Sequence, residues 1–217
     1  LPAHAGEAFT DGRYVQRYAF EARAVGRAPR KVQWTWDFGD GQTSTEPERN
    51  HVYLLPGEYT VTLTAKTGLG TFTRSNRIFV SRPWDRVTRR KLDNLREYGR
   101  IVLDYDFATL TPPEARANAV LLLDRAGLAS GVVKAGDALL QTHHADAGAL
   151  REVMPLLQDY LIQLNEPARA VAALKRAATM SDDPAVSAEM LARAGATAVR
   201  LGREHPAAND ASQPLLR

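Results

Sequence analysis

The sequence predicts a multi-domain β + α chain, an N-terminal antiparallel β-sandwich followed by an α-helical hairpin array. Three observations carry that prediction. Val32, Trp34, Trp36 and Phe38 alternate with Gln33, Thr35 and Asp37, and Tyr59, Val61 and Leu63 alternate with Thr60, Thr62 and Thr64. This is the period-2 pattern of strands with one buried face. At Ser81-Arg82-Pro83 the period changes, with a capping Ser and a Pro just after it, as at a helix start. From Glu114 onward the chain is Ala-rich, carries Leu at spacings of three and four, and shows no alternation.

Taken in order, residues 1–12 contain Pro2, Gly6 and Gly12 without periodicity and read as a lead-in loop. Tyr14, Tyr18, Phe20, Ala22 and Ala24 alternate with charged residues over most of a first strand, and Gly26 to Pro29 is a turn. Lys31–Phe38 is the second strand, ended by Gly39-Asp40-Gly41. Glycine supplies the positive φ a tight reversal needs, and Asp bonds nearby backbone N–H groups. Gln42–Thr45 reads as a short polar edge strand, and Gly57, after Pro56, marks another turn. Thr60–Lys66 and Thr71–Val80 form a hairpin across Thr67-Gly68-Leu69-Gly70, with Ile78 and Val80 pointing inward. Turn signals at these intervals suit a sandwich.

The stretch Trp36-Asp37-Phe38-Gly39-Asp40-Gly41, then His51-Val52-Tyr53, then Pro56-Gly57-Glu58-Tyr59-Thr60-Val61-Thr62-Leu63 resembles the polycystic-kidney-disease (PKD) domain over residues 13–81. The resemblance implies an immunoglobulin-like β-sandwich. It implies structural roles for Trp36, Asp37, Gly39, Asp40, Gly41, His51, Tyr53, Gly57 and Tyr59. It also implies a location outside the cytoplasm: extracellular, periplasmic or at the cell surface. The fold fixes no activity, because one sandwich hosts many functions.

Residues 82–112 read as a linker helix of about six turns, ending before Thr111-Pro112-Pro113. Trp84, Val87, Leu95, Tyr98, Val102 and Tyr105 fall along one face, and the other carries Arg86, Arg89, Arg90, Arg96 and Arg100. That face is either solvated or a docking strip for an acidic partner or anionic glycan. Trp84, at the junction, is expected to wedge the sandwich against this helix. Residues 113–204 divide into five helices near 114–126, 129–143, 147–163, 167–180 and 184–202, and 205–217 reads as tail. Leu157, Leu161, Asn165-Glu166-Pro167, Ala170-Val171, Leu174, Ala177 and Asp183-Pro184 resemble a tetratricopeptide repeat. A fainter copy stands 39 residues earlier, at Gly131-Val132, Ala135 and Ala138-Leu139, a longer period than that family's usual one.

Composition narrows the function classes. No apolar run approaches the roughly 20 residues of a membrane span, so no membrane insertion is expected. Residues 1–81 hold 10 basic and 8 acidic side chains, 82–112 hold 7 and 5, and 113–217 hold 11 and 12. None is a basic platform, which argues against nucleic acid. With no cysteine, disulfides and thiolate chemistry are excluded. A chain that starts Leu1-Pro2 reads as a processed or trimmed product. Its 23 Arg against 5 Lys, with abundant Ala, point to a GC-rich bacterial source.

No residue set names a reaction. Asp37 and Asp40 at a glycine turn fall short of the six or more oxygens a calcium ion takes, and are read as holding the turn. His143 and His144 are neighbours, about 100° apart on a helix, and cannot chelate as an i, i+4 pair does. There is no HExxH, no GxSxG and no phosphate loop. Trp34 and Trp36 read as core. The expectation is therefore no enzyme, no cofactor and no metal. The chain reads as a non-catalytic exported bacterial interaction or scaffold protein, binding a protein partner at the cell envelope or outside the cell. The alternative is a carbohydrate-binding accessory region of a secreted polysaccharide-degrading enzyme, for which the partner is a polysaccharide. Exposed aromatics in a row on one sheet face would favour that alternative.

Overall fold

The computed structural model describes residues 2–10, 13–24, 31–81 and 95–204. Expectations that rest on Trp84, Arg86, Arg89 and Arg90 lie outside these residues. Seven strands, β1 (Ala3–Thr10), β2 (Arg13–Glu21), β3 (Val32–Asp37), β4 (Thr43–Ser44), β5 (Glu48–Tyr53), β6 (Gly57–Thr67) and β7 (Gly70–Val80), precede six helices. The helices are α1 (Leu95–Leu103), α2 (Ala115–Arg125), α3 (Ala129–Leu140), α4 (Ala147–Gln163), α5 (Pro167–Ala178) and α6 (Pro184–Glu204). Two compact units divide the chain, Leu1–Leu128 and Ala129–Arg217.

The strands form two antiparallel sheets, ordered β1-β2-β5 and β4-β3-β6-β7. Their inner faces meet in an aromatic core of Phe20, Trp36, Phe38, Tyr53, Tyr59, Val61, Ile78 and Val80. The period-2 reading of β3, β6 and β7 matches this burial, with Trp36, Phe38, Val61, Ile78 and Val80 inside. The rings pack edge-on or offset, Phe20 standing 5.4 Å from Trp36 and 5.0 Å from Phe38 between centroids, the arrangement aromatic quadrupoles favour.

One expectation is corrected here. Residues 3–10 are not a lead-in loop but strand β1, paired antiparallel with β2 along its length. Ala and Gly have weak strand propensity and gave no alternation; the ladder with β2 supplies the order instead. The register shifts between His4 and Gly6, as at a bulge, where glycine is favoured.

A second correction concerns residues 82–128. The sequence assigned 82–112 to a linker helix and 113 onward to the helical domain. α1 instead ends at Leu103, and α1 and α2 both belong to the unit that holds the sandwich. α1 packs on β5 and on α2. Helix and helix meet closely at Gly99, where a Cβ would lie 2.5 Å from the Ala126 Cβ. α2 has a nearly continuous buried surface from Ala117 to Leu123 and lies beside β1. An apolar helical face reads the same in sequence whether a sheet or another helix covers it.

In the second unit, α3 to α6 occupy the predicted segments within a few residues. Asp146 caps α4 by accepting a hydrogen bond from the Ala149 N–H at 2.9 Å. α4 ends with Asn165 at φ 60°, while the N–H groups of Glu166 and Asn165 donate to Leu161 and Ile162 carbonyls at 2.8 and 2.9 Å. That is a Schellman ending with Asn where Gly is usual, and it delivers Pro167 to the first turn of α5. Small residues Ala170, Ala173 and Ala177, with Leu174, bury the packed face of α5.

Candidate functional site

The densest polar chemistry lies around the glycine turn after β3. Asp37 accepts the Gly39 N–H at 2.9 Å, and Asp40 accepts the Gln42 N–H at 3.2 Å. Gly39 and Gly41 take φ +80° and +87°, the left-handed region that a side chain rarely adopts. Gly41 answers a second demand, because a Cβ there would sit 1.8 Å from the Thr109 carbonyl oxygen. The turn is thus pressed against the segment that follows α1.

That segment is stitched on by further bonds. The Gln42 side chain donates to the Asp106 carbonyl at 2.8 Å and accepts the Asp106 N–H at 3.0 Å. Thr111 N–H donates to the Asp40 carbonyl at 2.9 Å, and Asn118 on α2 donates to the Leu54 carbonyl at 2.8 Å. Beneath them lies a relay of buried side chains. His51 Nε2 is 2.8 Å from Asp40 Oδ2, and His51 Nδ1 is 2.9 Å from the Tyr105 hydroxyl. That hydroxyl accepts the Val52 N–H at 2.7 Å and stands 3.0 Å from the Val52 carbonyl.

Proton counting orders this relay. A tyrosine hydroxyl has one proton to give and two lone pairs. With a neutral imidazole, His51 Nε2–H donates to Asp40 and Tyr105 donates to Nδ1. With an imidazolium, both ring nitrogens donate and Tyr105 turns its proton to the Val52 carbonyl. With the imidazolium every group is satisfied; with the neutral ring the one Tyr105 proton serves Nδ1 and the Val52 carbonyl goes without it. Burial, and secondarily the Asp40 charge, push the Tyr105 hydroxyl well above the usual tyrosine range. Burial likewise raises Tyr53, whose hydroxyl donates to the Phe38 carbonyl at 3.0 Å. Tyr59, donating to the Leu55 carbonyl at 2.9 Å, is pushed up to about 12.

A His beside a carboxylate is a familiar catalytic pairing, but here His51 is 1% exposed and Asp40 4%. His51 is also sandwiched between the Phe38 ring at 4.1 Å and the Tyr105 ring at 5.1 Å. The geometry holds backbone together. The motif residues Asp40, His51, Tyr53 and Tyr59 lie together here, joined by Tyr105, Gln42 and Asn118, which the motif does not include. The helical spacing places Tyr105 on the packed face of a longer helix; its Tyr identity, where Leu would serve packing alone, is the available signal.

A different kind of surface lies between the sheets on the side of β7. A cleft of about 560 Å³ opens there, lined by Trp36, Val61, Leu63 and Arg74 from one sheet and by Glu21 and Arg23 from the other. Trp36, Leu63 and Arg74 form one cross-strand row, and Trp34, Ala65 and Phe72 form the next on the same face. The Trp36 indole N–H is buried without an acceptor. Arg23 is tied to Glu21 by a bidentate pair, which holds the carboxyl below its usual range. β7 itself is exposed at every residue from Gly70 to Arg77.

Of the Arg strip, Arg96 and Arg100 are exposed on α1. On the same helix Glu97 pairs with Arg17 at 3.1 Å, and the Arg17 guanidinium lies 5.3 Å from the centre of the Tyr98 ring. His143 and His144 are both exposed, and His144 stands 3.6 Å from Asp182. Among the described residues no group of three or more His, Cys, Asp or Glu is placed to hold a metal ion. No helix among them is long and apolar enough to cross a membrane.

Comparison with known proteins bears on the sandwich. Residues 13–80 match the PKD domain family. The chain is similar to human polycystin-1, 49% identical over 49 residues, which is 21% of this chain and 1% of that protein. It is also similar to collagenase ColA of Bacillus cereus, 51% identical over 39 residues, 18% of this chain and 4% of the collagenase. The chain thus spans only a small part of either relative, and the likeness concerns the module they share. PKD domains are typically extracellular modules for contacts with proteins or carbohydrates. Residues 13–80 of this chain are a PKD domain.

Proposed function

We infer that this is a non-catalytic exported bacterial interaction or scaffold protein, whose PKD domain engages a protein partner at the cell envelope or outside the cell. The observation that carries the reading is strand β7, an eleven-residue edge strand exposed from Gly70 to Arg77. An edge of this kind presents unpaired backbone donors and acceptors to another chain. The sealed state of the Asp40–His51–Tyr105 relay supports the non-catalytic part, since a reacting group needs access to its substrate. The second unit, read as tetratricopeptide-like, adds a helical scaffold of a type that presents surfaces to proteins.

The alternative, a carbohydrate-binding accessory region of a secreted polysaccharide-degrading enzyme, is favoured by one observation. Trp34 and Phe72 lie in one row on one sheet face, and Phe72 is 59% exposed. The test exposes the immobilised full chain to the exported proteins and soluble polysaccharides of its source organism. One protein retained in stoichiometric amount, and released by free chain, supports the reading. Polysaccharide retained without protein replaces it with the alternative. Turnover of a substrate that a single side-chain change abolishes ends the non-catalytic part.

A further inference from the structure

We propose that the free edge of β7 takes an extended acidic segment of the partner protein as a fifth strand of the four-stranded sheet. One acidic side chain of that segment pairs with Arg74, and an apolar side chain on the same face enters the mouth of the cleft beside Asn76. This rests on the protein-partner reading and specifies its site.

Three features converge on that occupant. First, of the four sheet edges, β4 is two residues long, β1 lies beside α2 and β5 beside α1, whereas β7 is long and its residues 70–77 are open. Strand addition to such an edge takes its affinity from main-chain hydrogen bonds and its specificity from alternate side chains. Second, an added strand turns every second side chain to the inner face of the sheet. There those side chains extend the Trp36–Leu63–Arg74 row and the adjoining Val61–Asn76 pair, at the mouth of the cleft.

Third, the charge is one-sided. Gly70–Val80 contains Arg74 and Arg77 and no acidic residue. Arg77 is already paired with Glu58 at 3.1 Å, while Arg74 has neither a hydrogen bond nor an ion pair among the described residues. A second copy of this chain laid antiparallel on β7 would bring no acidic residue to Arg74, since the strand contains none. An acidic strand meets the opposite condition.

The experiment uses the full chain and a set of ten-residue synthetic peptides, with Thr at every second position and Glu or Val between. A matching set carries Lys for Glu, and an oligogalacturonate serves as the saccharide arm. Hydrogen exchange is read at individual amides of β7. The Glu set is expected to slow exchange at alternate amides within residues 70–77 by tenfold or more, and the Lys set to leave them unchanged. Arg74→Glu, at an exposed position, should keep the melting temperature, abolish protection by the Glu set and admit the Lys set. Protection that ignores Arg74→Glu overturns the proposal, as does failure of every Glu peptide. Oligogalacturonate perturbing Trp36 while β7 exchanges freely also overturns it. A captured protein that binds the Arg74→Glu chain undiminished would refute the edge while leaving the partner reading standing; capture of no protein would remove that reading itself.

Discussion

Removing one oxygen, in Tyr105→Phe, tests whether the relay under the glycine turn holds the PKD sandwich to α1. The ring remains, so packing against His51 is preserved and the change is confined to hydrogen bonds. The Val52 N–H loses its 2.7 Å acceptor, and His51 Nδ1 loses its 2.9 Å partner. Both are buried, and Tyr105 is 8% exposed, so water reaches neither without local opening. A buried polar group left unpaired costs about 1–3 kcal/mol. Two such groups, with some relaxation, predict a loss of about 2–4 kcal/mol. Tyr53→Phe is the comparison, since it strips a single bond, to the Phe38 carbonyl, and predicts a loss of about 1 kcal/mol. Urea unfolding followed by tryptophan fluorescence reads the sandwich, and hydrogen exchange at the Val52 amide reads the local bond. The reasoning fails if Tyr105→Phe costs no more than Tyr53→Phe, or if Val52 exchanges no faster in the variant.

Three other outcomes follow from the same structure. Gly41→Ala should destabilise the first unit by more than about 3 kcal/mol, because strain at positive φ adds to a clash with the Thr109 carbonyl that no rotamer relieves; thermal melts beside Gly68→Ala, which meets open space, provide the scale. Leu157→Ala in α4 removes a fully buried side chain packed against Gly136 and should cost about 2–5 kcal/mol, read as a lower urea midpoint of the helical unit. The tyrosines' contribution to stability should be constant from neutral pH to 10 and fall above it. The tyrosine hydroxyls keep their protons longer folded than unfolded, so their contribution is whole below the unfolded value of 10.0 and drains as pH rises through about 12 for Tyr59. Phenolate absorbance should accordingly show Tyr59 ionising late, and a single transition at the unperturbed value would contradict the burial assigned to it.

Strands β3, β6 and β7 were legible because alternation and burial are the same fact seen twice: Trp36 and Val61 face the core while Thr35 and Thr60 face out. The turn was legible for a related reason, since Gly39, Asp40 and Gly41 are chosen by backbone geometry that neighbours cannot supply. β1 was not, because Ala3, Ala5 and Ala8 carry little pattern and their strand exists through pairing with β2. The docking of α1 and α2 was hidden more deeply. Tyr98, Val102 and Leu122 announce a buried face but not what buries it, and the bonds that decide the matter join Gln42 to Asp106 and Asn118 to Leu54, 64 residues apart in each case. The helices of the second unit stood out through local punctuation, Asp146, Asn165 and Pro167, each acting within one turn of its own position.

The two polar regions of the PKD unit differ in what they leave unspent. Around Asp40, carboxylate, imidazole, phenol and backbone satisfy one another, so a ligand offered there would have to displace bonds already made in a water-poor interior. Such a site has nothing to gain from binding and much to lose. Along the outer edge of β7 the opposite holds: residues 70–77 are open to solvent, and the Arg74 guanidinium has no protein partner among the described residues. Water serves the exposed edge at little cost, so the sheet tolerates it, and Arg74 and Arg77 guard it against self-pairing. Arg74, unpaired where Arg77 is held by Glu58, makes an acidic strand the favoured visitor. Specificity on this edge then comes from repulsion of the wrong partner as much as from attraction of the right one.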